Sequence, residues 1–260
     1  MKTITEYDYL AHIYSDWSNA DPAAALTLRF YLNISSDKNT IVELGIGNGR
    51  IALELAKQGK KIIGIDVSET MIKNCEEAAS ALGVADNIRV IKSDIRDFSL
   101  DEPADWIIIP FRTIGHLLSL DDKRQGLTNI YNQLTPGGTL IFDHYIFNKD
   151  WARSHDGISR LMCKKNDLPS KRTYYVWDTY LYQFEQQLMD CTITIEETND
   201  NGLVLERSHN NLSFSWIYPN QVKDLLIDTG FEIVEVFGSF NKDPLVETSK
   251  EQIWVVRRPR

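Results

Sequence analysis

The chain has 260 residues, 43% of them hydrophobic and 25% charged, and a formal net charge of −9. That length accommodates one large domain or one domain carrying an insertion, and the composition excludes a fibrous or intrinsically disordered chain. The acidic balance argues against a nucleic-acid backbone as the default partner. No apolar run approaches the ~20 residues of a membrane span, and no signal-peptide core is visible at the N-terminus. The three cysteines, Cys75, Cys163 and Cys191, are too scattered for a disulfide framework or a zinc site. That usage predicts a reducing, cytoplasmic setting.

In chain order, residues 1–39 read as a helical preface rich in aromatics, with Tyr7, Tyr9, Tyr14 and Trp17. Within it, Asp21 is placed to cap a helix over 22–32 that has Pro22 at its first position. From residue 40 strands and helices alternate. The pattern predicts strand 40–45, helix 49–58, strand 61–66, helix 69–82, strands 88–92 and 105–109, helix 121–133 and strand 138–145. Gly83 closes the second of these helices, and Pro136-Gly137-Gly138 turns into the last strand. Residues 146–172 are polar and unpatterned, as expected of a mobile lid. Residues 173–215 read as two or three long antiparallel strands. Helix 219–229, ended by Gly230, strand 231–237 and strand 252–257 complete the chain, with the final pair antiparallel. The expected architecture is α/β: a seven-stranded sheet with helices on both faces, and a β meander inserted after strand 5. The domain boundaries follow: preface 1–39, core 40–145 with 216–260, insertion 146–215.

The chemistry is concentrated at Ile41 to Arg50, which read IVELGIGNGR. An apolar strand interrupted by Glu43 runs into Gly45, Gly47 and Gly49, and a helical apolar period begins at Ile51. Glycines there let the backbone turn sharply and approach a ligand closely. The next strand ends at Asp66, where a carboxylate can hold two ribose hydroxyls. A dinucleotide fingerprint requires a third glycine where Arg50 stands, and Arg50 is too large for that packing.

The pattern E-x-G-x-G-x-G with Asp66 in register resembles motif I of the class I S-adenosylmethionine (SAM) dependent methyltransferases. The resemblance covers roughly residues 40–145 and 216–257. It implies a Rossmann-like fold with SAM as cosubstrate across the strand ends and S-adenosylhomocysteine (SAH) as product. It places Glu43, Gly45, Gly47 and Gly49 at the methionyl part, Asp66 at the ribose, and Val67 and Met71 near the adenine. Asp94 and Ile95 stand in the family's adenine loop, and Pro110 and Phe111 line the methyl-transfer site. Within the fold, the chain resembles the small-molecule N- and O-methyltransferases, such as the amino-sugar and glycine N-methyltransferases. This implies that Tyr14 folds over the sulfonium as part of a lid. It also implies that the insertion walls the acceptor pocket.

The candidate catalytic residues are His116, His144 and Tyr14, the two histidines being suited by their ordinary pKa to act as bases. The candidate acceptor residues are Arg112, Tyr175, Trp177 and Tyr180, within an aromatic set that also holds Tyr174, Tyr182, Phe184, Phe214 and Trp216. No cluster has metal-ligand spacing, so no metal is expected. The expected partner is a small-molecule acceptor, with no membrane and no nucleic acid. A homodimer stays open, as do two other functions: methylation of tRNA or protein, and SAM binding without turnover.

Overall fold

The computed structural model describes Asp21, residues 23–167 and residues 172–260. Tyr14 and Pro22 lie outside the described residues. Helix α1 (Ala23–Ile34) leads into β1 (Thr40–Leu44), α2 (Ala52–Lys57), β2 (Lys61–Asp66), α3 (Glu69–Ala81), β3 (Ile88–Lys92) and β4 (Ala104–Ile109). A 3-10 turn at Thr113–His116, α4 (Leu120–Gln133) and β5 (Leu134–Tyr145) follow. The Asp21 carboxylate accepts from the Ala23 N–H at 2.8 Å, so α1 starts on the expected cap. Helix α2 is shorter than its period because Gly49, at φ +85°, cannot join it. Strand β5 is longer than expected: the Pro136-Gly137-Gly138 turn survives inside it as a register shift against β4.

The main sheet has the order β10-β11-β5-β4-β1-β2-β3, with β10 at Glu232–Phe237 and β11 at Glu251–Arg257. Strands β1 to β5 pair in parallel, whereas β11 is antiparallel to both β5 and β10. Helices cover both faces. Leu127 and Ile130 of α4, with Leu225 and Leu226 of helix α6 (Pro219–Thr229), pack on Val42, Leu44, Ile107, Phe142 and Trp254. Phe30 and Tyr31 of α1, Leu55 of α2 and Cys75 of α3 pack on Ile41, Ile62, Ile108, Ile141 and Ile253. Each fully buried Leu, Ile or Phe contributes about 1.5–3 kcal/mol, so this two-sided burial holds the sheet rigid beneath its loops. The chain order reverses between β1 and β4, and a ligand crevice is expected at their carboxyl ends.

The insertion is more regular than its composition suggests. Residues expected to be an irregular lid form helix α5 (Lys149–His155) and strand β6 (Ser159–Asp167). Asn148 starts α5 by accepting from the Trp151 N–H at 2.9 Å. Strand β6 pairs with β7 (Arg172–Gln183), and β8 (Leu188–Thr198) and β9 (Val204–Ser215) complete a four-stranded antiparallel sheet.

Candidate active site

At the switch point, β1 ends in a turn that only glycines can make. Gly45, Gly47 and Gly49 have φ of +72°, +56° and +85°. A β-carbon on Gly45 would stand 2.3 Å from Thr113 Cγ2, and one on Gly49 would stand 2.7 Å from Cys75 Sγ. A β-carbon on Gly47 would meet no atom of the described residues within 4 Å, so among them this glycine borders open space. Asp66 braces the turn: one carboxylate oxygen accepts from the Gly47 N–H at 2.8 Å and the other from the Ser68 N–H at 2.9 Å. Glu43 is buried on the α1 side of the sheet, with no hydrogen-bond partner for Oε2 among the described residues. Burial raises its pKa to about 8, against the pull of the nearby Arg50 charge.

The side where the sequence places adenine is less open than expected. Val67 is exposed, but Met71 is buried and its N–H is donated to Ser68 Oγ, the cap of α3. Ile95 packs against the core beside Phe98. The Asp94 carboxylate accepts three hydrogen bonds from Arg96, one from its backbone and two from its guanidinium. The side-chain bonds from Arg96, with its backbone bond and charge, hold the Asp94 pKa below the usual carboxylate range, and Arg96 also reaches Asp122 at 2.7 Å.

After β4 the chain makes a second left-handed turn without glycine. Phe111 and Arg112 have φ of +56° and +65°, a conformation costing roughly 1–2 kcal/mol per residue. The compensation comes from Asp143, fully buried on β5. One of its oxygens accepts from the Phe111 N–H at 2.9 Å and from the Tyr31 hydroxyl at 2.7 Å. The other accepts from the Arg112 N–H at 3.0 Å. Burial pushes the Asp143 carboxyl up, and the bond from Tyr31, the Arg112 charge and the two backbone N–H groups oppose that rise, so the carboxylate is held where it satisfies both strained residues. Phe111 then lies beneath the Arg50 guanidinium, 4.3 Å from ring centre to carbon. Arg112 bonds Asp21 at 2.7 Å and Glu251 at 2.8 Å. The guanidinium expected to meet an acceptor is thus spent on joining α1 to β11.

The family evidence fits this geometry. Residues 41–138 match the family model described as a methyltransferase domain. A protein of Geobacillus sp. (strain WCH70), whose name places it among the methyltransferases, is 26% identical over 84% of each chain. The CcbJ methyltransferase from Streptomyces caelestis superposes with a TM-score of 0.82 at 19% identity, over 99% of both chains. The sugar N-methyltransferase KedS8 from Streptoalloteichus sp. gives 0.72 at 14% identity, over 100% of this chain and 94% of that one. Residues 41–138 thus form a SAM-dependent methyltransferase domain, and the fold of the whole chain is that of solved methyltransferases. Two features of the site fit its cosubstrate: the α-carbon of Gly47, uncrowded by the described residues, and the buried Glu43 oxygen that no donor among them satisfies. Among the described residues no group of three or more His, Cys, Asp or Glu is arranged to hold a metal ion. No described helix is long and apolar enough to cross a membrane.

In this methyltransferase the two histidines are ties between the core and the insertion. His144 is fully buried, with Nδ1 3.0 Å from the Tyr145 carbonyl oxygen and Nε2 3.1 Å from that of Ser215. Burial drives its pKa down to about 3. His116 bonds the Ser213 backbone, and burial followed by the nearby Lys123 charge lowers it to about 4. The expected base role does not fit His144, because neither of its ring nitrogens is directed to a site where a substrate could reach it. Lys123 is a buried cation that the sequence reading missed. Its Nζ donates to the Leu117 carbonyl and, at 2.6 Å, to Ser215 Oγ, and burial lowers its pKa to about 8. The sequence signal was available: position 123 falls on the apolar stripe of α4 with Leu127 and Ile130.

The inserted sheet splits the expected aromatic set: Tyr182 and Phe184 gather with Trp216 around Phe147, whereas Tyr175, Trp177 and Tyr180 do not share one wall. Strand alternation sends Tyr175 and Trp177 to one face and Tyr180 to the other. Tyr180 packs with Val176, Cys191 and Ile193, beneath Arg160 and the buried Asp178. Phe214 of β9 is the aromatic that reaches the core. Its ring covers Gly115, where a β-carbon would stand 2.1 Å away. Around it lie His116 at 4.8 Å, His144 at 5.7 Å and Tyr145 at 6.3 Å between centroids.

Proposed function

We propose that this methyltransferase acts on a nitrogen of a small amine-bearing acceptor, seated where β4 and β5 end against Phe214. SAM held at the β1–β4 crevice supplies an electrophilic methyl group on a sulfonium. In this reading Gly45, Gly47, Gly49 and Glu43 hold its methionyl part, and Asp66 its ribose. Val67, Met71, Asp94 and Ile95 surround the adenine, and Pro110 and Phe111 line the approach to the methyl. Residues 146–215 supply the acceptor side.

The observation that carries the choice of nitrogen is the state of the two imidazoles. A hydroxyl acceptor requires a base matched to neutral pH. His116 and His144 are engaged by backbone groups and have pKa values of about 4 and 3, far below that match. An amine brings its own lone pair, so positioning supplies much of the rate. The sugar N-methyltransferase fold neighbour supports the same class.

The test is a screen with SAM against amino sugars and small amino compounds, each paired with the analogue bearing hydroxyl in place of the amine. SAH release and a mass gain of one methyl are the readouts. Turnover confined to the amines is the expected result. Equal turnover of the hydroxyl analogues, or turnover only on tRNA or protein, overturns the reading.

A further inference from the structure

We propose that Asp143 is a positioning residue for the cofactor side of this methyltransferase, and that its carboxylate fixes the Phe111–Arg112 turn in the shape SAM binding requires. The proposal rests on the SAM-dependent activity of the chain and not on the nature of the acceptor. Four non-glycine residues have positive φ among the described residues, and Phe111 and Arg112 are the two that follow one another. Both of their N–H groups point at one carboxylate, one to each oxygen. Such a pair cannot satisfy itself locally, because two successive N–H groups turned the same way form a concave anion site. Here the anion is a side chain from the neighbouring strand.

The turn that Asp143 holds is interlocked with the glycine turn. Thr113 fills the place where a β-carbon of Gly45 would lie. The same threonine donates from Oγ1 to the Pro110 carbonyl at 2.8 Å, closing the turn on itself. Phe111 carries the Arg50 guanidinium, which in turn donates to the Ala24 carbonyl at 2.8 Å. A shift of residues 111–113 therefore moves the wall against which Gly45 and Arg50 rest. Asp143 acts through that wall and needs no contact with SAM.

Asp143→Asn tests this. The amide keeps the size but offers one acceptor oxygen, so its NH2 faces one of the two N–H groups. Tyr31→Phe is the comparison: it removes a hydrogen bond to the same carboxylate and leaves both backbone N–H groups satisfied. Calorimetric SAH binding and thermal melting without SAH are measured on both. The expected result is SAH affinity reduced about 10-fold or more in Asp143→Asn and unchanged within about twofold in Tyr31→Phe, with both proteins melting at lower temperature. Unchanged SAH affinity in a folded Asp143→Asn, or equal weakening in Tyr31→Phe, overturns the proposal. If Asp143→Asn does not fold, amide exchange in the wild-type protein decides. The Phe111 and Arg112 amides must be protected before SAH is added, and protection that arises only with SAH overturns the proposal. Wild-type protein that fails to bind SAH contradicts the cofactor assignment instead.

Discussion

Two left-handed turns stand side by side at the ends of β1 and β4, and they are built by opposite means. The β1 turn uses Gly45, Gly47 and Gly49, which adopt positive φ without a side-chain clash. The β4 turn uses Phe111 and Arg112, which adopt it only because Asp143 accepts both of their N–H groups. The first solution is local and leaves backbone bare for a ligand. The second carries side chains into the site and depends on a residue one strand away. A crevice bounded by both has a floor bare of side chains and a wall that can carry chemistry.

The severest way to break the glycine turn is Gly47→Val. Among the described residues no atom obstructs a side chain there, so the damage comes from a β-branched residue at φ +56° and from filling the space a ligand needs. SAH affinity should fall about 100-fold or more, equivalent to about 2.7 kcal/mol, in a protein that still folds by circular dichroism. Retained affinity in calorimetry would remove the glycine turn from the cofactor site.

Asp66→Ala should be the next largest. Its carboxylate already accepts from Gly47 and Ser68, so the substitution loosens the turn and removes the proposed ribose acceptors together. At about 1.5–3 kcal/mol for a hydrogen bond to a charged group, SAH should weaken about 10-fold or more. Asp66→Asn separates the two roles. It keeps one backbone contact, and binding that recovers fully in it would argue against a ribose contact that needs the charge.

These two turns also show why one half of the site was legible in the sequence and the other was not. Glycine spacing, Glu43 and Asp66 are local signals, read within one βαβ unit. Asp143 was visible only as a charge within the apolar run Leu140–Tyr145, and its partners Phe111 and Tyr31 lie 32 and 112 positions away. The same distance dependence hid β6, whose residues Ser159–Asp167 lack a clear apolar alternation and gain their order from pairing with β7. It also hid the split between Trp177 and Tyr180, since a list of aromatics does not record the face each takes. The central strands were legible because burial on both faces leaves continuous apolar runs, and the antiparallel final pair because no long crossover separates β10 from β11.

A smaller effect is expected at the acceptor side, where Phe214→Leu sharpens the contrast between the halves. An aromatic contact contributes about 0.5–1.5 kcal/mol beyond area, so KM for an amine acceptor should rise about 2- to 10-fold. SAH affinity should stay within about twofold, because Phe214 touches the 3-10 turn and the ends of β5 rather than either left-handed turn. Equal weakening of SAH and acceptor would show that the insertion belongs to the cofactor site.

The smallest effect, and the most specific, concerns Glu43. Its folded pKa of about 8 lies above the ordinary value of 4.5 because burial penalises the charge. Between those values the folded, ligand-free protein holds a proton that the unfolded chain has lost. The stability linked to that proton is complete below pH 4.5, is lost as pH rises towards 8, and changes no further above it. Glu43→Gln cannot ionise, so its melting temperature should exceed that of wild type by a few degrees at pH 8–9. A change of 1 kcal/mol corresponds to about 2–4 °C for a chain of this size. The difference should vanish near pH 4.5. Saturating SAH should narrow or reverse it, because ligand donors meeting the unpartnered Oε2 would favour the ionised wild-type side chain over the amide. A pH-independent difference would mean that Glu43 does not titrate in this window. An advantage for glutamine that persists undiminished with SAH would mean that the buried carboxylate serves the fold of the glycine turn rather than the ligand above it.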